Sequence, residues 1–360
     1  MKNKALVLLK ELAEAHGVPG HESAVREIFC RELDGRKLTA DSLGNVMCEV
    51  PGETESPRVL VTGHMDEVGF VVQQITPEGF LRMAPLGGWW SHTLPAQRVR
   101  VRTRQGQEVM GVIAATPLHL LSVEAREKVM PLEKLCIDIG ADSREEAEDR
   151  FGIRLGDPVA PESPFQAMAK PGRLLCKAFD NRVGVALTIQ SLQELAGSGH
   201  PNTLVGVGTV QEELGLRGAR TAGPMAAADV ALVMEGTPAD DGPDFPRGEC
   251  QGRIGKGVQI RVSDPSAVMN KSLVDFVVDV AMTSGIPHQV AVRRTGGTDA
   301  GSFQCAPGGL PVVVLGVPAR YIHTHNAIID MEDYLSALRL IQELVSRFDA
   351  DTVAEFTRFL

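Results

Sequence analysis

Glu212 and Glu213 stand side by side where a run of small and β-branched uncharged residues, 205–210, gives way to polar chain. Successive strand residues point to opposite faces, so the two carboxylates can take different tasks, one holding a cation while the other faces a substrate. Taken alone, adjacent glutamates are most often a solvated turn. Four further apolar segments end in a similar way. His64 follows 59–61, with Asp66 two residues on; Asp180 follows 174–176; Glu235 follows 230–234; His323 follows 313–315 and the link 318–322. Each is ordinary by itself, since a lone histidine after a strand is usually a hydrogen-bonded structural residue. Five together point to a site beyond the carboxyl ends of the strands of an α/β sheet, where such folds bind ligands. A nitrogen and oxygen ligand set without thiolate suits zinc, cobalt or manganese better than a structural four-cysteine zinc. Two ions would share a carboxylate and sit roughly 3.5–4 Å apart. Asp180, Glu213 and Glu235 offset most of the charge of two dications. Without metal, such a cluster would repel itself and take up protons.

The elements that must position these residues follow from periodicity. Leu6, Leu9, Leu12 and Ala13 recur at helical spacing before Gly17, and a second helix is expected over 23–33. Residues 41–45 (Asp-Ser-Leu-Gly-Asn) carry turn chemistry. Strands are expected at 46–50, 58–62, 174–179, 203–210, 230–234, 258–262 and 312–317, with helices over 182–195, over 271–284 and from Asp330. Between them the texture is different. Arg98, Arg100 and Arg102 alternate with Val99 and Val101, a polar break follows, and apolar chain resumes at 109–115, which reads as a hairpin. The expected architecture is α/β: a central, mostly parallel sheet covered by helices on both faces, formed by 1–68 and 165–360, with a β-rich insertion at 69–164.

Composition narrows the function classes. The chain has 360 residues, 43% hydrophobic content and a formal charge of −10. That charge argues against nucleic acid and anionic membrane as partners. No apolar run reaches the length of a bilayer span, and no signal-peptide pattern opens the chain. The six cysteines form no CxxC pair and read as buried thiols of a reducing, cytoplasmic compartment.

The stretches 63–69 (Gly-His-Met-Asp-Glu-Val-Gly), 178–182 (Ala-Phe-Asp-Asn-Arg), 210–215 (Val-Gln-Glu-Glu-Leu-Gly) and 320–323 (Arg-Tyr-Ile-His) resemble those of the tetrahedral (TET-like) metallo-aminopeptidases. That family includes glutamyl and deblocking aminopeptidases and is often labelled cellulase M or endoglucanase. The segments 85–89, 137–141, 255–257 and 297–300 add to the resemblance, which covers nearly the whole chain. It implies a co-catalytic zinc-peptidase fold with an inserted β-barrel or PDZ-like dimerisation domain. It implies two divalent ions per subunit, zinc or cobalt with manganese as a third candidate. One ion would be held by His64, Asp180 and Glu235, the other by Asp180, Glu213 and His323. Glu212 would be the general base, acting on a bridging water, and Asp66 would fix the tautomer of His64. The Asp180–Asn181 peptide would be cis. Substrates would be peptides with a free N-terminus, and dimers would assemble into a tetrahedral dodecamer. Two departures stand out: Glu235 occupies a position where some relatives carry Asp, and 117–119 lacks a second consecutive proline.

Other readings compete. His325 is the rival ligand to His323, since both can face one way on extended chain. Trp89 and Trp90 read as packing or interface residues, and His16, His21, His200 and His288 as surface or turn residues. A glycoside hydrolase would need two carboxyls at least about 5 Å apart across a bond; it leaves the histidines unexplained, and aromatics to stack sugars are scarce at 4%. A carboxypeptidase or deacylase would share the metal cluster. A binding protein on a retired scaffold would have lost ligands, and none is missing. Arg217, Arg253 and Arg293 are candidates for reading an acidic side chain.

Overall fold

The computed structural model describes residues 2–246 and 248–358. Eight strands form the central sheet: β1 (Leu38–Ala40), β2 (Val46–Pro51), β3 (Arg58–His64), β4 (Thr203–Thr209), β5 (Val230–Pro238), β6 (Val258–Ser263), β7 (His288–Val292) and β8 (Val312–Ala319). Their order is β1-β2-β4-β3-β5-β8-β6-β7. The middle four, β4, β3, β5 and β8, run parallel, so their carboxyl ends share one rim. These strands are apolar nearly throughout, as strands covered on both faces must be. Gly206 shows how closely one layer approaches: a Cβ there would fall 2.3 Å from Leu192 of the helix Phe179–Leu195. Three residues on, Thr209 faces the opposite layer and bonds Asp299. The α/β class expected from the sequence is the one observed.

A second, closed barrel of six strands lies between Gly69 and Pro161. Phe70, Val72, Leu81, Val99, Ile137 and Val159 fill it, a core separate from that of the main sheet. Trp89 stacks on Phe70 with ring centroids 4.9 Å apart and donates from Nε1 to the Gly69 carbonyl. Trp90, by contrast, is exposed.

Several expectations need correction. Arg173–Cys176 is not a strand of the central sheet; it pairs with Gln166–Ala167 and Ala327–Asp330 in a small sheet of three. Its short apolar run cannot reveal which sheet it joins. β5 continues to Pro238, so Glu235 lies within the strand, paired in register with Gly316. The strand β7 and the helix Arg217–Ala226 escaped notice, the latter because Pro224 and two glycines mask its period. His16 and His200 are buried, not surface residues. The six cysteines form no disulfide, but Cys305 is exposed. No helix among the described residues is long and apolar enough to cross a membrane.

Candidate metal centre

Each site residue arrives from a different element. His64 is the last residue of β3, and Glu212 and Glu213 follow β4. Asp180 sits in a kinked entry to the helix Phe179–Leu195, with φ −84° and ψ 104°, next to a cis Asp180–Asn181 peptide. Gly236 makes room for this entry: a Cβ there would lie 2.7 Å from the Asp180 Cα. Asn181 pins it by donating from Nδ2 to the Met234 carbonyl at 2.7 Å. His323 follows β8 with φ +56°.

The five expected ligands and Glu212 converge. His64 Nε2 lies 3.3 Å from Asp180 Oδ1, 3.7 Å from Glu235 Oε2 and 3.8 Å from Glu212 Oε2. His323 Nε2 lies 3.2 Å from Glu213 Oε1 and 3.5 Å from Asp180 Oδ2. The two oxygens of Asp180 thus divide between two histidines. Each imidazole turns its other nitrogen to a backbone carbonyl: His64 Nδ1 to Asp66 O at 3.1 Å and His323 Nδ1 to Gly88 O at 2.9 Å. A carbonyl can only accept, so each Nδ1 carries a proton, and Nε2 is the nitrogen left to meet a metal ion or, without one, a second proton. Lone pairs facing carboxylate oxygens at these distances need a cation or a proton between them.

With no ion in the cluster, protons take its place. Burial raises Glu212 and Glu235 well above the usual carboxyl range, against the pull of His64. Burial also raises Glu213, opposed by His323. At Asp180 burial acts upward too, but the bonds to His323 and His64 win and hold it low. Burial works against a charged His323, yet its bonds to Asp180 and Glu213 raise it to about 11. One oxygen of Glu235, Oε1, is buried with no partner. Donor atoms of His64, Glu212 and Glu235, and of His64, Asp180 and Glu213, each lie within 4.8 Å of one another. A nitrogen and oxygen donor set of this kind, with facing acceptors and an orphaned oxygen, fits hard to borderline divalent ions.

Asp66, expected to fix the His64 tautomer, and two residues not singled out from the sequence, Asp299 and Arg261, complete the site. The Asp66 carboxylate is 3.5 Å from His64 Nδ1, but its hydrogen bonds run elsewhere: Oδ1 and Oδ2 accept from the backbone N–H of Glu212 and Glu213, both at 3.0 Å. Burial pushes Asp299, behind the cluster, to about 6, and one of its oxygens has no partner. Arg261 lines the cavity of about 390 Å³ over the cluster. Its Nη atoms are engaged by Asp264 and Thr237, each at 2.9 Å. Arg217, Arg253 and Arg293 do not line this cavity. The rival ligand His325 is buried beside Trp89, with centroids 5.8 Å apart, outside the cluster.

A parallel-sheet rim that gathers imidazoles and carboxylates in this way defines a metallo-hydrolase architecture. Comparison with known proteins makes it specific. The family model described as M42 glutamyl aminopeptidase matches residues 44–340. The glutamyl aminopeptidase of Lactococcus lactis is 33% identical over 98% of both chains. The lysyl aminopeptidase of Pyrococcus furiosus is 33% identical over 94% of this chain and 96% of its own. Among solved structures, a TET aminopeptidase from the marine sediment archaeon Thaumarchaeota SCGC AB-539-E09 superposes with a TM-score of 0.94 at 40% identity, covering 98% and 99% of the two chains. The TET1 peptidase of Pyrococcus horikoshii, which can assemble into a tetrahedron or a large octahedral shell, matches at 0.84 and 30%, covering 96% and 100%. The chain belongs to the M42 peptidase family and is an aminopeptidase, as the resemblance implied. Members of that family are metallo-enzymes, and the cluster is the candidate metal site.

Proposed function

We propose that the enzyme removes N-terminal residues from peptides at a two-ion centre. His64, Asp180 and Glu235 would hold one ion and Asp180, Glu213 and His323 the other. The observation that carries this reading is the division of Asp180, one oxygen towards each histidine. The chemistry such ions supply when bound is Lewis-acid polarisation of the scissile carbonyl and acidification of water, with zinc, cobalt and manganese all suited to the donors.

The chain's own groups do the rest. Glu212 takes the water proton and delivers it to the leaving amine, and its burial favours the protonated form needed for the second step. The acidic rim attracts the positively charged α-amino group of a chain end, which makes cleavage exo rather than endo. Asp66 keeps the two glutamates in place through their backbone N–H groups. Arg261, the arginine of the cavity wall, is already neutralised by Asp264. Side-chain preference therefore rests on the shape made by Leu216, Pro238, Ile322 and the 295–298 loop.

For assembly, dimers would join through the barrel and build a tetrahedral dodecamer; the likeness to the Pyrococcus horikoshii peptidase, which can form a tetrahedron or an octahedral shell, supports a closed homo-oligomer. Six unpaired cysteines suit a cytoplasmic setting. The test is a panel of aminoacyl anilides and their N-acetylated counterparts, assayed after chelation and after return of each metal. Hydrolysis restricted to free amines and restored by metal is expected. Equal cleavage of blocked substrates would point to a deacylase, and release of sugar from cellulose to a glycosidase.

A further inference from the structure

The segment that delivers Glu212 and Glu213 has left the sheet. β4 ends at Thr209, and Gln211 adopts φ +53°. The backbone N–H groups beyond that point have no strand to pair with, and buried amides are almost always satisfied. Here four consecutive ones are each caught by a side-chain oxygen. Val210 N donates to Asn45 Oδ1 at 3.0 Å, and Gln211 N to Glu22 Oε1 at 3.1 Å. Glu212 N and Glu213 N donate to the two oxygens of Asp66. The acceptors come from three distant places: the residue before the helix Ser23–Glu32, the turn before β2, and the loop after β3.

Glu22 and Asn45 are built for this role. Glu22 is 4% exposed, and its Oε1 also accepts from Gly20 N at 2.7 Å. It makes no capping bond to the helix it precedes. Asn45 is fully buried, and its amide is oriented by its donors: Nδ2 reaches Asp41 Oδ2 at 2.6 Å, Gly218 O at 2.9 Å and Thr221 Oγ1 at 2.9 Å, which leaves Oδ1 for Val210. Gly218 closes from the other side, donating its N–H to Val210 O at 2.9 Å. A Cβ on Gly218 would lie 2.5 Å from Asn45 Oδ1.

We infer that Glu22 and Asn45 are positioning residues for catalysis, extending the Asp66 contacts into a clamp that sets the reach of Glu212 into the cavity. The inference rests on Glu212 being the general base. Neither residue touches the donor atoms, so loosening the clamp displaces Glu212, and with it its neighbour Glu213, while leaving His64, Glu235 and His323, from β3, β5 and β8, in place. A displacement on the order of 1 Å costs about a hundredfold in rate.

The experiment compares Glu22→Leu, Glu22→Gln and Asn45→Ala with the native enzyme, reading kcat, KM, metal per subunit and melting temperature on the intact assembly. Burial raises the Glu22 carboxyl to about 7, so the neutral amide of glutamine is a close mimic that retains Oε1. Expected are a fall in kcat of about ten- to a hundredfold for Glu22→Leu and Asn45→Ala, KM nearly unchanged, retention of at least the ion proposed at His64, Asp180 and Glu235, and recovery to within about threefold for Glu22→Gln. Native kcat in a folded Glu22→Leu enzyme would overturn the inference, as would a Gln variant as slow as the Leu variant. Loss of both ions together with activity would show a purely structural role. Should Glu22→Leu fail to fold, the folded Glu22→Gln enzyme still decides: near-native kcat supports the clamp and a collapsed kcat refutes it. A Glu212→Gln enzyme measured alongside separates the two layers, since its retained activity would remove the base assignment, whatever the clamp variants do.

Discussion

Asp66 and Glu67 are neighbours, both buried, and they belong to two opposite kinds of charge cluster. Asp66 faces the metal centre. Glu67 faces away and accepts from Lys177 Nζ at 2.5 Å and Arg182 Nη2 at 3.2 Å. That second cluster pairs charge with opposite charge, although Glu67 Oε2 and Arg182 Nε are left without a partner. Lys177 and Arg182 donate onward to the carbonyls of Leu12, Ala15 and Gly17, where the first helix (Lys2–Glu14) ends and cations are favoured. Donor meets acceptor almost throughout. Around Asp180 acceptor meets acceptor, and the charge balance is left open. The difference lies in sign: the Glu67 cluster brings cations to its carboxylate, whereas the candidate metal site brings carboxylates to one another.

The contrast can be broken at several points. The largest effect is expected at the proposed bridge: Asp180→Ala should leave neither ion bound and activity at background, and two retained metals by elemental analysis would refute the sharing. Glu212→Gln should keep its metals and lose about 10²–10⁴-fold in kcat, as removal of a general base does, which steady-state kinetics on an anilide would read. On the other side, Glu67→Ala strands two buried cations and should cost about 3–5 kcal/mol of stability in denaturant unfolding. It should leave metal content intact in whatever fraction folds; selective loss of metal would mean the two clusters are not independent.

The smallest effect concerns His16, whose two ring nitrogens have no partner. Burial, then Lys177, Arg102, Arg100 and Arg182, push its pKa from 6.5 to about 3. Between those values the unfolded chain binds a proton that the folded chain refuses, so stability rises with pH across the window and is lost as pH falls below about 6.5. The slope from one such group is about 1.4 kcal/mol per pH unit. His16→Leu should flatten the acid limb of a melting-temperature profile by that amount, and an unchanged limb would show that His16 is protonated in the fold.

What could be read in advance was whatever depends on residue type at a chain position. His64 and Glu213 follow visible apolar runs, and the barrel announced itself through the alternation at Arg98–Arg102. What could not be read depends on which segments meet. Asp180 follows a short apolar run like the others, but that run pairs with Ala327–Asp330. Asn45 looked like the end of a turn, because nothing local shows that Val210 will lie against it. Arg261 was hidden for a related reason: a charged residue inside the apolar strand β6 shows its purpose only beside Asp264 and Thr237.

The bond from His323 Nδ1 to the Gly88 carbonyl spans 235 residues and joins the barrel to the far end of the other unit. The barrel is therefore no detachable accessory: excising it would leave the imidazole of His323 free to turn. Synthesis from the N-terminus makes Gly88 well before His323, 235 residues later. Until residue 323 has been made, a growing chain holds the Gly88 carbonyl without the ring it orients, and the candidate cluster lacks one of its two histidines.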